Sequence, residues 1–214
     1  MSRDSTLGLL AGLLLAGAAF AAGPKVIFIK SFPGSTPAYV HISVDRAGAA
    51  TYKETADDDP ETFQLEPAAT DAIFDLAEKL GHFKSPLESG LKVAKMGDKI
   101  LRWENGVEAV EAKYNYSLDE NTKLLQDWFE RISESERNVL TLRRSIRYDK
   151  LGVNDAMIRL DLMWTQKRLV GTPQMLPLFD RIVANEALLH MAREKAAELA
   201  EAIRAAAAKA SAAQ

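Results

Sequence analysis

Residues 99–116 read KILRWENGVEAVEAKYNY, and the fold turns on them. Asn105-Gly106 separates two runs suited to strands, Lys99 to Trp103 and Val107 to Tyr116. Asn-Gly takes the positive φ values that a two-residue hairpin turn requires, so this pair predicts an antiparallel hairpin.

Working back from it, Val26, Ile27, Phe28 and Ile29 form a short branched and aromatic run that predicts a largely buried strand. Pro33, Gly34 and Pro37 end it. From Tyr39 to Val44 the chain alternates, with Val40, Ile42 and Val44 on the buried parity and Tyr39, His41 and Ser43 on the other. Asp45-Arg46-Ala47-Gly48 has turn chemistry, and Ala50 to Thr55 is the expected return strand. Asp57, Asp58, Asp59 and Pro60 read as a solvated loop; a calcium loop would need alternating oxygens followed by Gly and Glu. Pro67 suits a helix N-terminus. Ile73, Phe74, Leu76, Ala77 and Leu80 continue at helical spacing until Gly81, so this helix is expected to cover one face of the sheet. A loop around Pro86 and Gly90 follows it.

Beyond the hairpin the punctuation changes. Ser117 with Glu120 has the spacing of a capping box, ahead of Leu124, Leu125, Trp128, Phe129 and Ile132. Ser133 with Glu136 repeats the spacing, which predicts a kink or a new helix through Val139, Leu140 and Ile146. Val153, Met157, Leu160 and Trp164 form a further stripe. Gly171-Thr172-Pro173 predicts a stop and a new cap, and Leu176, Phe179, Ile182, Val183, Leu189, Leu199 and Ile203 form a last stripe before an Ala-rich tail expected to fray. The expected fold is α+β: a small antiparallel sheet of hairpins with a covering helix, then an all-helical C-terminal region. The composition shift near Ser133 divides it into an α+β part over residues 22–132 and a helical part over 133–210. That helical part either packs on the sheet layer, the favoured arrangement, or stands beside it as a hairpin of its own.

The chain begins with Arg3, an apolar run from Leu7 through Ala19, and the small-residue pattern Ala19-Phe20-Ala21, the layout of a secretory signal over residues 1–21. Leu7 through Ala19 is 13 residues, shorter than the roughly 20 that span a bilayer. No second run is long enough to cross, so no transmembrane anchor is expected after cleavage. The expected location is the periplasm or the outside of the cell. A net charge of −3 argues against a nucleic-acid partner, whose phosphates call for an excess of Lys and Arg. With 0 cysteines there are no disulfides, thiol nucleophiles, lipid-modified cysteine, cysteine-type zinc sites or iron–sulfur ligands.

The stretch from Ser31 to Tyr52, with Phe32, Gly34, Pro37-Ala38-Tyr39, the alternating strand to Val44, Gly48 and Tyr52, and then Phe83 closing the helix, resembles an uncharacterised domain found in exported bacterial proteins. In that domain two cysteines flank the glycine; Ser31, Ser35 and Thr36 stand in that neighbourhood here. The resemblance covers roughly Val26 to Phe83 and implies export and a hairpin-plus-helix fold.

Among residues able to carry chemistry, Arg143, Arg144 and Arg147, followed by Lys150, are the candidate binding residues. They suit an anionic partner such as a phosphate headgroup or an acidic protein surface, or they complement a helix C-terminal dipole. The histidines are His41, His82 and His190. Glu186, His190 and Glu194 repeat at four residues, but one helix face would spread the outer pair about 12 Å apart. They therefore read as a solvated stripe, and neither a metal nor another cofactor is expected. Trp103, Tyr114 and Tyr116 read as cross-strand pairs and core in preference to a ligand groove. The chain contains no Gly-x-Ser-x-Gly elbow, phosphate-cradling glycine loop, dinucleotide fingerprint or His-Glu-x-x-His motif.

The expected function is therefore that of an exported non-enzymatic protein binding another protein or an envelope component. The alternatives are a hydrolase or small-ligand-binding protein with a cleft between sheet and helical region, His41 and Tyr39 near its rim, or a helical part that oligomerises. Export is checked by N-terminal sequencing of the protein recovered from its host's envelope, where the expected first residue is Ala22; a chain still beginning at Met1 would refute cleavage after Ala21.

Overall fold

The structure, a computed structural model, describes residues 23–212; the signal expected over residues 1–21 lies outside the described residues. The branched run becomes β1 (Lys25–Ser31) and occupies the middle of a six-stranded sheet. On one side it pairs with β2 (Tyr39–Asp45), Phe28 opposite Ile42, and on the other with β5 (Asp98–Asn105), Phe28 opposite Leu101. β3 (Ala49–Lys53) and β4 (Glu61–Gln64) extend the first side, and β6 (Glu108–Tyr114) extends the second, giving the order β4-β3-β2-β1-β5-β6 with every pair antiparallel. The Asn105-Gly106 hairpin forms as predicted, with Gly106 at φ 60°. β4 follows the aspartate loop at a place where no strand was expected. Its four residues bury only Phe63, too little to show a period.

Alternation along these strands puts Val26, Phe28, Val40, Ile42, Val44, Tyr52, Leu101 and Trp103 on one buried face. Helix α1 (Pro67–Lys79) lies against that face through Ile73, Phe74 and Ala77, with Phe74 edge-on to Trp103 at 5.9 Å between ring centroids. Trp103 and Tyr114 are core residues, in line with their cross-strand reading.

Helix α2 (Glu120–Tyr148) runs unbroken for 29 residues, which corrects two expectations. Its N-cap is Asp119, whose Oδ1 accepts from the Thr122 amide at 2.8 Å, so the Ser117–Glu120 spacing is displaced by two residues from the real cap. Ser133 and Glu136 are not a cap at all. A cap needs a non-helical residue, but Phe129, Ile132 and Val139 are buried on both sides of Ser133, and that packing carries the helix through. The composition shift at residue 133 marks a change of partner along one helix. Leu125, Phe129 and Ile132 belong to the sheet core, with Phe28 and Phe129 stacked at 5.1 Å, while Val139 and Leu142 belong to a second, helical core.

That second core is completed by α3 (Lys150–Thr165), α4 (Leu176–Val183) and α5 (His190–Ala212) through Met157, Leu160, Phe179, Ile182, Ala196 and Leu199. The last apolar stripe is thus two helices, separated by a turn in which Asn185 Oδ1 accepts from the Ala187 amide at 3.1 Å. The Ala-rich tail stays helical to Ala212, in keeping with the high helix propensity of alanine. These helices stand beside the sheet rather than over it, because α1 and the first half of α2 already occupy its apolar face.

The connection from α3 to α4 locks the two halves together. Val170 is part of the sheet core, and its amide donates to Ser135 Oγ at 3.1 Å. Glu66, at the start of α1, accepts from the amides of Gly171 at 3.0 Å and Thr172 at 2.7 Å and from the Thr172 hydroxyl. Thr172 is therefore spent on this joint instead of capping a helix. Gly171 adopts φ 69°, a left-handed conformation that other residues rarely take.

Because α2 belongs to both cores, removing the Phe129 ring is expected to lower stability by about 3–5 kcal/mol. In a denaturant titration of Phe129→Ala, near-UV and far-UV dichroism should fall together; separate transitions would show that the halves unfold independently.

Candidate anion-binding cleft

The last two turns of α2 bury Leu142 and Ser145 and turn Arg143, Arg144, Arg147 and Tyr148 toward one side, as i, i+3 and i+4 spacing dictates. Arg181, in the last turn of α4, comes up opposite them. Together with Glu61 of β4 and an apolar floor of Leu140, Ile146 and Leu178, they line a cleft of about 490 Å³ between the sheet edge and the helical half.

The charges in this cleft are unevenly compensated. Arg143 Nη1 meets Glu61 Oε2 at 2.7 Å, and its Nη2 donates to Gln174 Oε1 at 3.2 Å. Arg144, Arg147 and Arg181 are exposed and make no ion pair among the described residues. Two helix C-termini point their partial negative charge at this region, but each amounts to only about half an elementary charge. Three whole charges outweigh them, so the cleft is locally positive on a chain whose net charge is −3. Guanidinium groups are donors only, arranged as a fork that matches the oxygens of a carboxylate or a phosphate. Tyr148 stands at the rim, 80% exposed.

Behind the cleft lies Glu136, 1% exposed. Its Oε1 accepts from Gln174 Nε2 at 2.5 Å, while Oε2 has no partner. Burial pushes its carboxyl up to about 7, against the opposing pull of the Gln174 hydrogen bond and the Arg143 charge. Gln174 therefore bridges an interior acid to the innermost arginine of the cleft.

The three arginines singled out from the sequence are thus brought together, while Lys150 opens α3 and lies outside the lining. Tyr39 and His41 sit on the strand parity facing away from the helices, so they do not edge a cleft between the halves. Burial lowers the affinity of His41 for a proton. Glu186 falls in the turn before α5, which removes it from any helix face shared with His190 and Glu194; those two pair at 3.0 Å on the surface. His82 packs its ring 4.1 Å from that of Trp103. Sequence reasoning missed Arg181 and Glu61, which arrive from distant segments, and Tyr148, which the spacing from Arg144 could have added.

No family model matches the chain, and no curated protein matches it in sequence.

Glu136 makes stability depend on pH with a definite sign. Its folded-state proton affinity is raised, so between about pH 4.5 and pH 7 the folded protein keeps a proton that the unfolded chain releases. Stability contributed by this group is therefore greatest below that window and is lost as pH rises through it, by roughly 3 kcal/mol. Glu136→Gln should be more stable than the parent at about pH 8 and lose this slope in urea unfolding. Parallel pH profiles for the two proteins would contradict the assignment.

Proposed function

We propose that the protein is an exported, non-enzymatic binding protein. Its arginine cleft holds an anionic group belonging to another protein or to an envelope component, in the periplasm or outside the cell. The observation that carries this reading is the set of three unpaired guanidiniums, Arg144, Arg147 and Arg181, converging on a cleft with an apolar floor. Unpaired arginines at one spot repel each other, and an anion relieves that repulsion while filling their donor positions. The single carboxylate of the lining, Glu61, is engaged by Arg143, which favours holding a ligand over acid–base chemistry on it. The N-terminal apolar run, and the resemblance of residues 26–83 to a domain of exported proteins, support the location.

Calorimetric titration of the full chain with inorganic pyrophosphate and with a glutamate-rich peptide tests the cleft. At least one should bind saturably, and Arg144→Glu with Arg147→Glu should weaken it by at least about tenfold, as should raising salt from about 0.05 M to 0.5 M. An affinity indifferent to both changes would remove the cleft from the function.

A further inference from the structure

Beside the cleft, α2 and α3 meet in a tight turn whose apex reads Arg147-Tyr148-Asp149-Lys150-Leu151. Asp149 is consumed by the turn itself: its Oδ1 accepts from the Gly152 amide at 3.0 Å, and its own amide donates to the Ser145 carbonyl at 2.9 Å. A Cβ on residue 152 would run into the Asp149 carboxylate and displace it from the Gly152 amide. What the apex offers to solvent is then two apolar side chains, Tyr148 at 80% and Leu151 at 70% exposure, flanked by Arg147 and Lys150, with Arg144 and Arg181 close behind in the cleft.

We propose that this apex seats the protein on an anionic phospholipid bilayer, with Tyr148 and Leu151 entering the interface and the cleft arginines holding lipid phosphates. The proposal rests on the anion-binding reading and names the component that the cleft takes. An acidic protein surface would satisfy the arginines but leave two projecting apolar side chains without an apolar layer to enter. A bilayer supplies both at once, phosphates at the surface and hydrocarbon beneath, and tyrosine is a residue that favours that boundary. Neither signal suffices alone: two apolar side chains bury little area, and a few cations bind an anionic surface only weakly. Their coincidence at one apex is what makes attachment. The net charge of −3 leaves the remainder of the molecule repelled by the same surface, so the apex also fixes the orientation.

The test is amide hydrogen exchange of the full chain, read at residues 147–152. The probes are phosphatidylcholine vesicles, vesicles containing about one-third phosphatidylglycerol, free glycerol phosphate and a glutamate-rich peptide. Bulk partitioning is not the readout, because a chain that still carried the apolar run from Leu7 through Ala19 would have a second, charge-independent means of attachment. The expected result is exchange slowed by about tenfold at the turn on phosphatidylglycerol vesicles alone. Arg144→Glu with Arg147→Glu should abolish it, and Tyr148→Ser with Leu151→Ser, which keeps every cation, should reduce it. Equal protection by free glycerol phosphate would assign the site to a small anion, and protection by the peptide alone would assign it to a protein; either overturns the membrane seat. No protection on vesicles, with pyrophosphate or peptide binding still sensitive to the arginine changes, would refute the seat and leave the anion cleft standing. Insensitivity in both experiments would refute both readings.

Discussion

Helix α2 has to bury apolar side chains against two different partners along a single axis of about 43 Å. Its first half faces a sheet and its second half faces three helices, and the helix continues between them because the backbone hydrogen-bond ladder is indifferent to what the side chains touch. Each core supplies the tertiary contact that a long helix needs, and neither is complete without residues of α2: Phe129 stacks on Phe28 on one side, and Leu142 closes against the later helices on the other. The sheet and the helical half are thus parts of one arrangement, although their residues segregate cleanly along the chain.

Where the two cores meet, the contact is polar. Glu66 collects two amides and a hydroxyl from Gly171 and Thr172, Ser135 receives the Val170 amide, and Gln174 ties Glu136 to Arg143. Such bonds are directional, so they specify how the halves sit in a way that apolar packing alone does not. Most of these groups are satisfied, and the orphaned oxygen of Glu136 is the exception. A buried carboxyl of this kind is better tolerated protonated than charged.

The same joint creates the cleft. Glu61 on the short edge strand β4 draws Arg143 toward the sheet, and α4 delivers Arg181 from the opposite side. The other arginines of α2 are left without acids because neighbouring carboxylates are already committed: Asp180 to Arg204, Asp149 to the turn, and Glu54 to Tyr52 and Arg137. Local excess charge on a net-negative chain is therefore a product of how partners are distributed.

Much of this was legible in the amino-acid order because it depends on near neighbours. Period-two alternation at Tyr39–Val44, the φ demand met by Asn105-Gly106, the helix opening at Pro67 and the three arginines on one helical face are all properties of a few consecutive residues. They determined the α+β class and most of the site. The local signals failed where distant contacts compete with them. Ser133-x-x-Glu136 has the spacing of a cap, yet burial of Phe129, Ile132 and Val139 keeps it inside a helix. Continuous apolar spacing from Leu176 to Ile203 hides a chain reversal, because both helices bury the same kind of face. The order of the strands, the division of α2 between two cores, the raised proton affinity of Glu136 and the arrival of Arg181 beside Arg147 were decided only by tertiary structure. Each depends on segments far apart in the chain, and the burial and Coulomb energies that govern them are set by distance in space.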